Sequence, residues 1–346
     1  MSDSKIIAVT GISGSGTREF CRNYAQQVRD VKIYHTGDMI YQLAQSQSSP
    51  PIPQENLINL HPGIMSGLRD KAFDYIIDNL ESDKAKYSRI IIDTHAQLFW
   101  NHVFTNAYDW KYLRDINPDM FISIVDKPSS IRDAQLKTER GKSQNHSLRD
   151  LLLWQNVEVN VTQGWASNHE KPMYVFSRKQ SPANVESLLD NRFLIYSSFP
   201  MTDAASEETN KIVNFKAKLR NVRKEIDGRE IPVIDPADID IESDEGLDEI
   251  TRRAIGTHTV HRDLNWDVDE ATHVIAYYPN ARMGLSKGVS DECTRARETG
   301  KFVYVICPRE KISPFMDIAH KVFKSEDEFF DFFKGHARWA LEHYKR

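Results

Sequence analysis

An apolar run from Ile6 to Thr10 breaks directly into a glycine-rich turn, Gly11 to Thr17, and then into a segment from Arg18 that can form a helix. Strand, glycine turn and helix in that order are the context a phosphate-binding loop requires, and they commit the N-terminal half to an α/β sheet. Backbone N–H groups of Gly11, Ser13, Gly14, Ser15, Gly16 and Thr17 can wrap a phosphate. The usual loop ends Gly-Lys-Ser/Thr, whereas Gly16 is followed here by Thr17 and Arg18, so the lysine that bridges terminal phosphates is absent. The Arg18 guanidinium could restore that charge, and Thr17 could take a metal ion one position early.

Further segments follow in a set order: "IYHTGDMI", "IIIDTHAQL", "INPDMFISIVDKPSSI" and "KTERGK". With the loop, this series resembles the archaeal type of adenylate kinase over roughly Met1 to Leu189. The resemblance implies a nucleotide-binding site for ATP or another nucleotide, with Mg²⁺. It also implies that Asp93 and His95 lie near the metal and phosphates, and that Arg140 and Lys142 occupy two basic positions of a lid. Two positions where the family grips a monophosphate with arginine hold Ile58 and Phe99. Phosphoryl transfer depends on positioning and charge neutralisation, so losing cations should cost turnover more than affinity.

The C-terminal half repeats the strand, turn and helix logic. Thr272 to Tyr278 is β-branched and aromatic, Pro279 to Gly284 breaks it, and Ser290 to Thr299 can form a helix before a second apolar run at Phe302 to Cys307. That order places Glu292 in the first turn of a helix at the carboxyl end of a strand, where open α/β sheets bind ligands. Asp263, then the strand, then "SKGVSDE" resembles the nucleoside 2-deoxyribosyltransferase superfamily over roughly Asn191 to Pro308, with "NRFLIYSSFP" as its opening strand. The Ser-x-Gly-Val-x-x-Glu pattern looks most like the branch that hydrolyses nucleoside 5′-monophosphates.

Cleaving a C1′–N bond passes through an oxocarbenium-like sugar, so a carboxylate can attack C1′ and form a glycosyl-enzyme without any cofactor. Glu292 is the expected nucleophile. Asp263 is expected either to protonate the leaving base or to orient Glu292 and a sugar hydroxyl. Ser286, Gly288 and Val289, at the helix start, are expected to hold the 5′-phosphate. The competing view makes Asp291 and Glu292 ordinary first-turn acids and Asp263 an N-cap.

A chain of 346 residues exceeds the usual single core, and the expected domains are 1–190, phosphate-loop kinase-like, and 191–346, flavodoxin-like and deoxyribosyltransferase-type, both with parallel sheets. A net charge of −5 offers no footprint for a nucleic-acid polymer, which leaves nucleotide small molecules as the expected ligands. Cys21, Cys293 and Cys307 have no metal spacing and suggest a reducing compartment, and no run suggests a signal core or a membrane span. The expectation is a cytoplasmic protein without membrane contact. The aromatic-rich end "EDEFFDFFKGHARWALEHY" suggests a homodimer or larger even oligomer.

His258, His261 and His273 lack an acidic ligand at fixed spacing, so zinc is not expected. Lys216 to Arg229 reads as the exposed face of a helix. Three functional classes remain: a glycosidase with a nucleotide-binding domain, a bifunctional kinase and glycosidase, and a non-catalytic nucleotide sensor.

Overall fold

The computed structural model describes residues 4–47, 52–107, 110–200, 206–239, 242, 245–281, 283, 286–309 and 318–346. The Ser/Pro-rich stretch Ser46–Pro53 reads from its composition as a loop, and the acidic stretch 238–249 as a solvated loop and helix start; parts of both (48–51, and 240, 241, 243 and 244), with 282 and 284 of the Pro279–Gly284 break, lie outside the described residues. The chain divides into two units, Met1–Lys179 with Ile239–Ile255, and Gln180–Asp238 with Gly256–Arg346. Helix Pro182–Asp190 thus falls in the second unit.

In the first unit the strands are β1 (Lys5–Gly11), β2 (Val31–His35), β3 (Arg89–Asp93), β4 (Gln97–Trp100), β5 (Val103–Asn106), β6 (Met120–Val125) and β7 (Met173–Ser177). Five of them form a parallel sheet in the order β2-β3-β1-β6-β7, while β4 and β5 pair antiparallel with each other. A parallel sheet is covered by helices on both faces, which is why β1 and β6 are continuous apolar runs rather than alternating ones. Helix Leu148–Asn168 packs on β1 and β6, and a capping box of Ser147 with Asp150 sets its start.

In the second unit the strands are β8 (Ile195–Ser198), β9 (Val233–Ile234), β10 (His273–Tyr277), β11 (Phe302–Ile306) and β12 (Lys321–Phe323), all parallel in the order β12-β11-β10-β8-β9. Counted from β8, this is the 2-1-3-4-5 order of flavodoxin-like sheets. The chain leaves β8 for β9 on one side and returns to β10 on the other, so a crevice opens between the carboxyl ends of β8 and β10.

The C-terminal helix Glu326–His343 buries Phe329, Phe333, Ala337 and Ala340 in the core of this unit, while Trp339 stays 39% exposed. Both units are therefore mixed α/β with parallel sheets.

Two expectations of local structure change. The helix expected from Ser290 begins at Lys287, so Glu292 stands in its second turn and Gly288 lies inside the helix rather than before it. In the segment expected to be a solvated face, Lys216 and Arg223 are buried, because Asp235 pairs with the first and Asp227 with the second.

Candidate functional site

At the end of β1 the chain enters the phosphate loop. Gly14 and Gly16 have φ of 91° and 97°, the left-handed region that glycine adopts freely. A Cβ at Gly14 would also stand 2.9 Å from the Ile131 carbonyl oxygen. Helix Thr17–Gln27 follows, and its N-cap, Gly16, offers no side chain to the first N–H groups. Those donors point where an anion would sit.

The loop opens on a cleft of about 1510 Å³, counting its mouth, lined by Ser13, Gly14, Gly16, Thr17, Arg18, Asp93, His95 and Arg140 among others. Most of the expected residues therefore meet around one space. Ser15 is fully buried beneath them, and its Oγ has no hydrogen-bond partner among the described residues.

Each lining group has a partner that sets its role. Arg18 pairs with Asp38 at 2.7 Å and stays more than half exposed, so its charge is shared. Arg140 donates to Ser13 Oγ at 3.2 Å, and burial lowers its pKa from the ordinary arginine value. The ring of His95 donates from Nδ1 to the Gly11 carbonyl at 2.6 Å, and burial is the first reason it favours the neutral form. Lys142 is not among the residues lining the cleft and pairs with Glu139 at 2.6 Å on an exposed helix face.

Thr17 and Asp93 line the same cleft. Mg²⁺ takes one or two protein oxygens together with phosphate oxygens and keeps several waters, so this donor set fits it. Among the described residues no cluster of three His, Cys, Asp or Glu side chains could hold a metal ion by itself.

Sequence reasoning missed two residues here. Arg178, just beyond β7, lines the cleft and lies against Gly16, with its Cβ 3.0 Å from where a Gly16 Cβ would stand. Its Nε is 2.9 Å from Asp126 Oδ2. Glu158, 1% exposed, accepts the backbone N–H groups of Gly11, Ala96 and Gln97 at 3.1, 2.7 and 2.8 Å. Burial pushes its carboxyl up to about 7, against the pull of those three donors.

The second site lies at the crevice between β8 and β10. Tyr196 and Ser198 of β8 both donate to Glu292, the tyrosine to Oε1 at 3.0 Å and the serine to Oε2. Burial raises the Glu292 carboxyl to about 7; the Ser198 hydrogen bond lowers it, the Asp263 charge adds to the rise, and the Tyr196 hydrogen bond lowers it.

Asp263 opens a π-helical stretch, Asp263–Val268, rather than capping a helix. Its neighbour Arg262 donates to its Oδ1 at 2.9 Å from Nε and stands 3.9 Å from Asp267. Burial raises both aspartates, and Arg262 offsets part of the rise. The sequence signal for Asp267 was its place four residues after Asp263, which one wide helical turn brings to the same side.

Ser286 is the N-cap of helix Lys287–Glu298 and makes no side-chain capping bond. A Cβ at Gly288 would meet Ser286 Oγ at 3.7 Å, an ordinary contact, and the Val289 side chain is buried. Among the described residues of this turn, the backbone N–H groups and the Ser286 hydroxyl are thus available to an anion.

A family model described as an AAA domain matches residues 10–151. The N-terminal region is thus a P-loop, kinase-like domain. No curated protein matches the chain. Similar solved structures include a 2-deoxyribosyltransferase from the psychrotolerant bacterium Bacillus psychrosaccharolyticus, 15% identical with a TM-score of 0.30, over 41% of this chain and 90% of that one. An unliganded sugar kinase from a Janibacter species is 16% identical with a TM-score of 0.29, over 54% of this chain and 92% of that one. A chain of the Pnkp1/Rnl/Hen1 RNA repair complex is 11% identical with a TM-score of 0.28, over 94% of this chain and 96% of that one. Likeness at these TM-scores carries no argument about activity. Among the described residues no helix is long and apolar enough to cross a membrane.

Proposed function

We propose that the second unit cleaves the N-glycosidic bond of a nucleoside 5′-monophosphate through Glu292, and that the first unit binds a nucleoside triphosphate with Mg²⁺ at the phosphate loop. The observation that supports the chemistry is the hold on Glu292. Two hydroxyls from β8 fix both its oxygens at the switch point of the sheet, where a ligand would enter.

The Glu292 carboxylate attacks C1′, the C1′–N bond breaks, and the electron pair leaves with the base. Asp263, close enough to Glu292 for the two carboxyls to interact, is the acid that gives a proton to the base nitrogen. Water then attacks C1′ and gives its proton to the Asp263 carboxylate while the C1′–O bond to Glu292 breaks, which releases the sugar phosphate and restores both carboxyls. The 5′-phosphate sits at the N–H groups of Gly288 and Val289 with the Ser286 hydroxyl, away from the Glu292 charge.

At the phosphate loop, Thr17 and Asp93 would hold Mg²⁺, which supplies charge neutralisation between the phosphates. The Gly11 and Ser15 N–H groups, expected at the phosphate, instead donate to Glu158 and to the Ile12 carbonyl; the remaining backbone N–H groups of the loop bind the phosphate oxygens, and Arg140 and Arg178 add positive charge beside them. Those arginines, with Arg18 and Arg22 in the same cleft, favour a second reading in which the protein is also a kinase, since four guanidinium groups replace one ammonium.

A chromatographic assay of the nucleoside monophosphates, with and without ATP and Mg²⁺, tests both parts. Free base released by wild type and lost in Glu292→Gln supports the glycosidase; near-normal release in that variant sinks it. Diphosphate formed only with ATP and Mg²⁺ supports the kinase.

A further inference from the structure

Beside the phosphate loop lies a second pocket, with about 530 Å³ of empty space when its open mouth is counted. Ser13, Gly14 and Arg140 line both it and the phosphate cleft. The rest of its wall is largely apolar: Ile58, Leu98, Phe99, Trp100 and Trp154. Phe99 stacks on His146 at 5.3 Å between ring centroids, and His146 packs on Trp154 at 5.5 Å.

Hydrogen-bond directions assign the His146 tautomer. Gln135 donates from Nε2 to the Ser13 carbonyl at 2.6 Å, so its Oε1 faces His146 Nδ1, 3.0 Å away. An amide oxygen only accepts, hence Nδ1 carries the proton. Burial first, then His102, favours the neutral ring, against Asp150 and the Phe99 carbonyl. Nε2 is then a bare lone pair, and it has no partner among the described residues although His146 is only 4% exposed. A buried acceptor left unpaired is destabilising unless a ligand donates to it. Arg140 is the pocket's one permanent cation among the lining residues, and it is already bonded to Ser13, which is poor provision for a phosphate dianion.

We propose that this pocket binds an unphosphorylated nucleoside, whose base lies against the aromatic wall and whose hydroxyl donates a hydrogen bond to His146 Nε2. The nucleoside's place as acceptor for a bound triphosphate rests on the phosphate cleft holding a nucleotide; its binding does not.

The test is calorimetry on the full chain carrying Glu292→Gln, so that base release adds no heat. Adenosine, guanosine, cytidine and uridine are titrated, then their 5′-monophosphates, and ATP with Mg²⁺ separately. At least one nucleoside should bind. Adding His146→Phe, which keeps a ring and removes the acceptor, should weaken it tenfold or more, whereas Ile58→Arg should strengthen the matching monophosphate. Comparing variants leaves any binding near residue 292 common to all. Absence of nucleoside binding overturns the proposal, as does unchanged affinity in a folded His146→Phe chain. If that variant does not fold, an Ile58→Arg chain with no gain for the monophosphate overturns it. The ATP titration reports on the phosphate cleft independently, so a failure there is recognised as such.

Discussion

Glu158 Oε1 accepts the backbone N–H of Gly11 at 3.1 Å, so the glycine that opens the phosphate loop is held by a carboxylate 147 residues further along the chain. The same side chain takes the N–H groups of Ala96 and Gln97, which follow His95. One carboxylate thereby fixes the ends of β1 and β3 relative to each other, and with them the loop and Asp93.

Glu158→Gln should lower stability by about 1–3 kcal/mol, because an amide must turn a donor toward at least one of three backbone donors. ATP affinity should fall with it. The pH dependence has a definite sign. A carboxyl raised to about 7 in the folded chain, from 4.5, contributes stability that is full below about pH 4.5 and is lost as pH rises through 7. Melting curves from pH 5 to pH 8 should show the advantage of wild type over Glu158→Gln shrinking upward; a constant difference would falsify the assignment.

Base release should rise with pH through about 7, since Glu292 must be ionised to attack. Tyr196→Phe and Ser198→Ala each remove a hydrogen bond that lowers the Glu292 pKa, so each should move the rising limb to higher pH. A limb that stays in place while the rate drops would assign those hydroxyls a purely structural role. Asp263→Asn should slow release with a larger effect on kcat than on KM.

Arg178→Ala should weaken ATP binding roughly 5- to 30-fold, the range of a charge-assisted hydrogen bond of about 1–2 kcal/mol. Gly14→Val should abolish it, since the new Cβ meets the Ile131 carbonyl at 2.9 Å and φ is 91°. Titration with a fluorescent ATP analogue measures both. Arg18→Ala should have the smaller effect, because Asp38 already shares that guanidinium.

In the second unit His273 Nε2 lies 2.7 Å from His336 Nε2. Burial lowers both rings, His336 to about 4 and His273 well below the ordinary histidine value. The unfolded chain binds protons below about pH 6.5 that the folded chain refuses, so stability falls as pH drops from 6.5 toward 4. His336→Phe should reduce the loss between pH 7 and pH 5 by about 1 kcal/mol, allowing for partial exposure. Thermal melts of the two chains at both pH values give the comparison.

What the amino-acid sequence by itself determined is local. Gly11 to Thr17 after an apolar strand specifies a phosphate loop because left-handed backbone and close approach need glycine at given positions, and the run from Ile6 specifies a strand because apolar side chains must leave water on both faces. Asp93, His95 and Arg140 were legible through their order along the chain, and they do line one cleft. Glu292 was legible through its spacing from Ser286, although the helix starts earlier than its residues suggest. The partners that give these groups their chemistry were not legible. Glu158 and Arg178 reach the loop, and Tyr196 and Ser198 reach Glu292 across 96 and 94 residues, only once β1 lies between β3 and β6 and β8 beside β10. No local propensity records such strand order, because it follows from how whole apolar faces pack; the tertiary structure alone decided which carboxylates are buried, which hydroxyls hold them, and which ring nitrogen, at His146, was left without a partner among the described residues.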